Sequence, residues 1–397
     1  MDFRFYAAGC PASKSFKEPL DYADSIKGEG IKWEAELLDI NEILLQVIEH
    51  EASDLHLTVG IPPTVRVHGE LVPLDYPKLM PNDTKELIYG ILTQEQREQL
   101  ERNWEHDFSY ALLGKARFRV NAYFQRNSLG AAFRVIPFDI KKLHELGLPK
   151  VLENIAKKPR GFVLVTGPTG SGKSTTLASM IDLINETQAV HIITIEDPIE
   201  YLHAHKRSIV NQREVGSDTR SFANALKYVL RQDPDVILIG EMRDVETISA
   251  ALTAAETGHL VFATLHTQDA PQTIDRIIDV FPPNQQQQVR VQLAGSLQGI
   301  ISQQLLPTRD MLGRTVACEV LIPTPAVRNM IREAKTHQIY NAMQTGEKYG
   351  MQTMDQALAD LYRRGLISLD VALAKAYDPN ELRQILGASE KRANFAI

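Results

Sequence analysis

The stretch that decides the fold reads Gly167-Pro168-Thr169-Gly170-Ser171-Gly172-Lys173-Ser174-Thr175. It satisfies G-x-x-x-x-G-K-[ST] at Gly167, Gly172, Lys173 and Ser174. Its flanks give the pattern a structural context. An apolar run, Phe162–Thr166, precedes it and reads as a buried strand, while Leu177, Met180, Ile181 and Ile184 follow at i, i+3, i+4 and i+7, one face of a helix. Strand, glycine-rich loop and helix together aim backbone N–H groups at a phosphate, and the helix N-terminus favours its charge. Such a loop implies a nucleoside triphosphate with Mg²⁺, Lys173 reaching the β- and γ-phosphates and the Ser174 hydroxyl ligating the metal. A chance glycine-rich turn is the bland alternative, and both correct flanks count against it.

Working outward, the chain alternates apolar strands with helical patterns: Phe162–Thr166, Val190–Ile195, Val236–Ile239 and Leu260–Thr264. This argues a mostly parallel sheet covered on both faces, with ligands at the carboxyl ends of its strands. After Pro282-Pro283 the pattern turns largely helical to about Leu386, so residues 161–386 read as one α/β motor domain and 387–397 as a tail. Upstream, residues 1–33 show no usable period and read as a flexible tail. Helical spacing runs from Glu34 to Ile48, and alternating strands follow in ASDLHLTVG and PPTVRVHGELVPL. Helices are expected at Thr84–Leu92 and Gln94–Asn103, then a hairpin in ARFRVNAYFQRNSLGAAFRVIP with its turn near Asn127–Gly130. Residues 34–137 thus form a smaller α/β domain, joined by a proline-bearing connector, 138–160.

Composition bounds the function. With 43 basic and 50 acidic residues and a net charge of −7, no general attraction to nucleic acid or anionic lipid is implied. Two distant cysteines, Cys10 and Cys318, build neither a disulfide framework nor a cysteine-rich zinc module. No apolar run approaches the roughly 20 residues of a membrane span, and the N-terminal segment lacks a signal-peptide core. The expectation is a cytoplasmic protein, peripheral to a membrane only through a partner.

ATP hydrolysis needs a metal, a polarised water and positive charge at the γ-phosphate. Val236–Ile239 ends in Gly240-Glu241, a Walker-B-like arrangement in which Gly240 stands where an acid often follows the strand; Glu241 is then the metal-side acid, through water. A second cluster, Glu196, Asp197 and Glu200, follows HIIT at another strand end, where a carboxylate can reach the attacking water; spacing does not choose among the three. His259 and His266 bracket LVFATL. Seven extended residues span roughly 23 Å, so the two rings cannot share one ion. His266 suits a γ-phosphate sensor, and His259 suits either that or a structural hydrogen bond. Arg119 and Arg134 alternate with Phe118, Val120, Phe133 and Val135, so both point outward, either to solvent or to a nucleotide in cis or in trans.

GPTGSGKSTTL, ITIEDPIEY, ILIGEMRD, GHLVFATLHT and FRVNAY together resemble the type II/IV secretion ATPases, and more narrowly their PilT-type pilus-retraction branch. The resemblance covers about residues 34–386. It implies a PAS-like α/β N-terminal domain plus a RecA-like P-loop motor with a largely helical C-terminal part, assembled as a homohexamer. It also implies roles: Glu200 as catalytic base supported by Glu196 and Asp197, Glu241 as Walker B glutamate, His259 and His266 as the histidine box, Arg119 and Arg134 as the arginine pair. ATP and Mg²⁺ would be the cofactors and an inner-membrane pilus platform protein the partner. Assembly-type relatives commonly carry a further N-terminal domain and a four-cysteine zinc site, for which this chain has neither room nor cysteines. AVRNMIREAK, Ala326–Lys335, resembles the AIRNLIRE helix of retraction ATPases. Its Ala326, Met330 and Ala334, widened by Val327 and Ile331, are expected to face the motor or a neighbouring subunit, leaving Arg328, Asn329 and Arg332 for a partner. Rival readings are a pilus-assembly or type II secretion ATPase, a RecA-like nucleic-acid translocase, and a nucleotide-gated regulatory subunit.

Overall fold

The computed structural model describes residues 38–394 except His68, Leu113–Gly114 and Pro137–Asp139, with side chains given to residue 387. The tail expected over 1–33 and the helical residues expected from Glu34 to Leu37 lie outside the described residues, as does Pro137.

The N-terminal region runs α1 (Ile40–Glu49), β1 (Asp54–Leu57), β2 (Thr64–Val67), β3 (Glu70–Pro73), α2 (Pro81–Gly90), α3 (Gln94–Asn103), β4 (Glu105–Leu112), β5 (Ala116–Gln125) and β6 (Ser128–Ile136). All six strands pair antiparallel in the order β3-β2-β1-β6-β5-β4. Alternation decides which face is buried. Ala116, Phe118, Val120 and Ala122 of β5 are in the core, and Phe118 meets Phe133 edge to face. Arg117, Arg119 and Asn121 therefore share the other face. The hairpin turns at Arg126-Asn127, both at positive φ (45° and 60°), as a two-residue loop requires. Gly130 lies inside β6, not in the turn; a Cβ there would meet Tyr123 at 3.1 Å and the Leu57 carbonyl at 3.2 Å. Sequence alternation does not reveal β4, since Phe108 is its one buried residue.

The motor continues with α4 (Val151–Ala156), β7 (Gly161–Thr166), α5 (Lys173–Thr187), β8 (His191–Glu196), β9 (Ile209–Glu214), α6 (Phe222–Val229), β10 (Val236–Ile239), α7 (Val245–Glu256), β11 (Leu260–Leu265), α8 (Ala270–Asp279) and α9 (Pro283–Ser296). β12 (Leu297–Pro307), β13 (Arg314–Leu321), α10 (Pro325–Arg332), α11 (Ile339–Gln344), α12 (Met354–Arg363), α13 (Leu369–Lys375) and α14 (Pro379–Asn394) complete it. The seven-stranded order is β13-β12-β7-β11-β10-β8-β9, parallel throughout except for β13. Phe162 and Leu164 of β7 enter one apolar cluster and Val163 and Val165 the other, so both faces of the sheet are covered. The expected helical course after Pro282-Pro283 is interrupted by the β12–β13 pair, which returns to the sheet beside β7, and resumes from Pro325. The tail expected from residue 387 continues as helix to Asn394.

One expectation is corrected here. In α10 Val327 and Ile331 are buried and Met330 packs partly buried against the core as expected, whereas Ala326, and Ala334 beyond the helix, are exposed. Arg328 is not left for a partner: its guanidinium donates to the carbonyls of Ala294, Gly295 (3.0 Å) and Leu297 (2.8 Å). It satisfies the orphan carbonyls at the end of α9, a cationic C-cap supplied from a neighbouring helix. Asn329 bonds Glu333 at 2.8 Å. Among the described residues no helix is long and apolar enough to cross a membrane.

Candidate active site

The carboxyl ends of β7, β8, β10 and β11 converge on a cleft of about 880 Å³. The loop after β7 admits no side chain at its first glycine. Gly167 has φ +137°, and a Cβ there would stand 2.3 Å from the Gln303 carbonyl oxygen and 2.7 Å from Ser171 Oγ. Gly172, at φ 88°, is the N-cap of α5, so Lys173 and Ser174 open the helix. Lys173 Nζ donates to the carbonyls of Gly167 (2.9 Å) and Pro168 (3.1 Å), which holds its charge within the loop. Burial lowers its pKa, and the Glu241 and Glu200 carboxylates oppose that shift. The β12 strand braces the loop from behind: Gln303 Nε2 donates to Thr176 Oγ1 at 2.9 Å and Thr166 Oγ1 to Ser302 Oγ at 2.9 Å.

Thr169, Gly170, Gly172, Lys173, Ser174 and Thr175 line the cleft; Gly167, Pro168 and Ser171 form the loop behind them. Facing them are Glu196, Asp197 and Glu200 from the acidic turn, Glu241, and His266. Glu196 ends β8, its Oε1 accepting from Thr194 Oγ1 (2.6 Å) and Gln212 Nε2 (3.2 Å). Burial pushes its pKa up to about 7, against these hydrogen bonds. Glu200 is exposed to the cleft. The glycine after β10 has a packing reason: a Cβ on Gly240 would lie 3.2 Å from Glu196 Cα and 3.3 Å from the Ile195 carbonyl. It lets the ends of β8 and β10 close together.

Glu241 is held from two sides. Arg243 donates to both its oxygens at 2.7 Å, and His266 Nε2 lies 2.9 Å from Oε1. The Arg243 hydrogen bonds, with the His266 charge, hold its carboxyl below the usual range despite partial burial. His259 lies at the other end of β11, where its Nδ1 meets the Ala254 carbonyl in the last turn of α7 at 2.9 Å. It does not line the cleft.

The two expected arginines diverge. They are cross-strand partners on β5 and β6, yet Arg119 lines the cleft while Arg134 Nε pairs with Asp54 at 2.9 Å on the exposed surface. Sequence reasoning missed Arg243 and Arg314, both lining the cleft. Arg243 was findable, two residues past Glu241 in a strand-end loop. Arg314 was not, because its segment reads as helical.

The chain matches the family described as type II/IV secretion system protein over residues 34–370. It is 52% identical over 342 residues to the type IV pilus retraction ATPase PilT of Pseudomonas aeruginosa, covering 86% of this chain and 99% of that protein. It is also 52% identical over 320 residues to a twitching motility protein of Neisseria gonorrhoeae, covering 81% of this chain and 86% of that protein. A crystal structure of the pilus retraction motor PilT with bound ADP superposes with a TM-score of 0.81 at 55% identity, covering 87% of this chain and 99% of that one. With the phosphate loop, acidic turn and strand-end glutamate meeting in one cleft, and with likeness across both sheets, the chain belongs to the type II/IV secretion system protein family.

Proposed function

We propose that the chain is a Mg²⁺-dependent ATPase that powers retraction of type IV pili. It works as a homohexamer against an inner-membrane platform protein on the cytoplasmic side. The observation that carries the reading is the meeting of Lys173, Glu200, Glu241 and Arg119 in one cleft, in a chain 52% identical to a retraction ATPase over 86% of its length. The loop amides and Lys173 bind and orient the phosphates. Glu200, open to the cleft, takes the proton of the attacking water. Ser174 and Glu241 are oxygen donors suited to Mg²⁺, which takes few protein ligands when phosphates supply others, and the ion would neutralise charge on the β- and γ-oxygens. His266, bonded to Glu241, reports the γ-phosphate, and Arg119 offsets charge developing in the transition state. The domains of this reading are 34–137 and 161–386.

A second assignment of the base has its own support. Glu196, with a pKa of about 7, is suited to accept a proton near neutrality. Steady-state hydrolysis separates the two. Glu200→Gln should keep nucleotide binding while turnover falls at least about a hundredfold, and Lys173→Ala should lose binding as well. Near-normal turnover of Glu200→Gln moves the base to Glu196. In cells, deletion should leave surface pili that do not retract; a deletion strain without pili would point instead to an assembly motor.

A further inference from the structure

Glu214 closes β9 at the edge of the motor sheet, and it is 4% exposed although none of the chemistry above uses it. Its carboxylate joins three elements. Oε2 accepts from the backbone N–H of Ile199 at 3.0 Å and from Arg117 Nη2 at 3.1 Å. Oε1 accepts from Ser109 Oγ of β4 at 2.8 Å and more weakly from Ser217 Oγ at 3.4 Å. Arg117 Nη2 also donates to Ser109 Oγ at 2.6 Å, which closes the triangle. Asp218 holds the other end, its Oδ2 accepting from the Glu214 N–H at 2.8 Å.

The sequence neighbours of these contacts give the cluster its meaning. Ile199 immediately precedes Glu200 in the acidic turn. Arg117 lies two residues before Arg119 on one face of β5, so whatever fixes Arg117 aims Arg119. One buried carboxylate thus ties the strand carrying the cleft arginine to the turn carrying the cleft carboxylate, across two sheets.

We propose that Glu214 is a positioning residue for hydrolysis, locking Arg119 and Glu200 into one geometry; this rests on reading the cleft as an ATPase site. Charge-assisted bonds from a half-buried guanidinium and a backbone N–H give the lock direction as well as strength. Buried ion pairs are poor sources of net stability but effective at selecting one arrangement. A displacement of about 1 Å at a catalytic group is enough to cost on the order of a hundredfold in rate.

The test uses the full chain, with Glu214→Ala and Arg117→Met as independent ways to open the lock. Amide hydrogen exchange without nucleotide is read first. Exchange at Ile199 should rise about tenfold or more in both variants while the core of β7 and β11 stays protected. In hydrolysis, kcat should fall by about ten- to a hundredfold with KM within about threefold. Adding Glu214→Ala to Arg119→Ala should cost at least about fivefold less than adding it to wild type, because the aimed arginine is already gone. Unchanged exchange at Ile199, unchanged kcat, or full multiplicativity with Arg119→Ala overturns the proposal. A wild-type chain that hydrolyses no ATP refutes the ATPase reading instead, and the exchange measurement still decides whether Glu214 orders the turn. If Glu214→Ala does not fold, Arg117→Met carries the same readouts.

Discussion

In the N-terminal sheet, β5 buries Ala116, Phe118, Val120 and Ala122 and turns Arg117, Arg119 and Asn121 the other way; in the motor sheet, every residue of β7 and β11 is buried. The difference sets where each sheet can place chemistry. A strand covered on one side has a free face, so polar residues can stand anywhere along it at every second position. In a strand covered on both sides the polar groups inside are hydrogen-bonded hydroxyls, such as Thr166 to Ser302 and Thr264 to the Gly240 carbonyl. The charged groups of the cleft stand at or just past the strand ends, where Glu196, Glu241 and His266 lie. Strand ends converge on one point because parallel strands share a direction. A free face does not converge, and cross-strand neighbours on it can have different fates.

The largest expected effect tests that last point. Arg119→Ala should lower turnover on the order of 10³-fold, the scale of an arginine supplied to a γ-phosphate, with folding and nucleotide binding retained. Arg134→Ala breaks an exposed pair with Asp54, worth about 0–1 kcal/mol, and should leave turnover within a few-fold of wild type. Equal losses in the two variants, measured under saturating ATP, would mean that face position rather than the cleft decides and that Arg134 acts in trans.

A smaller effect probes the strand ends. Gly240→Ala forces a methyl group against Glu196 Cα and the Ile195 carbonyl, so the ends of β8 and β10 must part. Overpacking of this kind costs about 1–3 kcal/mol. Denaturant unfolding should show that loss, and turnover should drop with it because Glu196 and Glu241 separate. The matching free-face change, Asn121→Ala, should do neither.

The last effect concerns Glu196 and pH. Burial raises its folded pKa to about 7 from an ordinary value of 4.5. Below pH 4.5 both states are protonated and nothing is lost. Between about pH 4.5 and 7 the unfolded chain ionises while the folded one holds its proton, so this group's contribution falls as pH rises, then levels off. Glu196→Gln should therefore flatten part of the decline in urea midpoint over that window; an unaltered pH profile would show that Glu196 is not held neutral.

Much of this was legible in order of residues because local rules applied. Helix α3 and strand β10 coincide with their expected bounds, one through its Thr93 capping box and the other through four consecutive apolar residues before Gly240. Edge strands β4 and β9 were not legible, since each buries few residues and their alternation is faint. β12 and β13 were hidden for a different reason: each carries a run of five consecutive buried residues, and such a run in a strand cannot be told from a buried helix by period. Val327 and Ile331 were part of the expected apolar stripe of α10, but which residues of that helix are buried depends on the neighbours it packs against.

By itself the sequence determined the phosphate loop, because a glycine at φ +137° and a lysine at the start of a helix are requirements of local backbone geometry. It likewise determined which residues on β5 share a face, since a strand's period is two. Only the tertiary structure decided that Arg119 enters the cleft while Arg134 turns to Asp54, that Arg328 caps α9, and that Glu214 joins β4, β5 and the acidic turn. Each of those outcomes pairs groups more than 30 residues apart except the bond to Ile199. Long-range pairing follows from strand order and crossover packing, which no local window of residues contains.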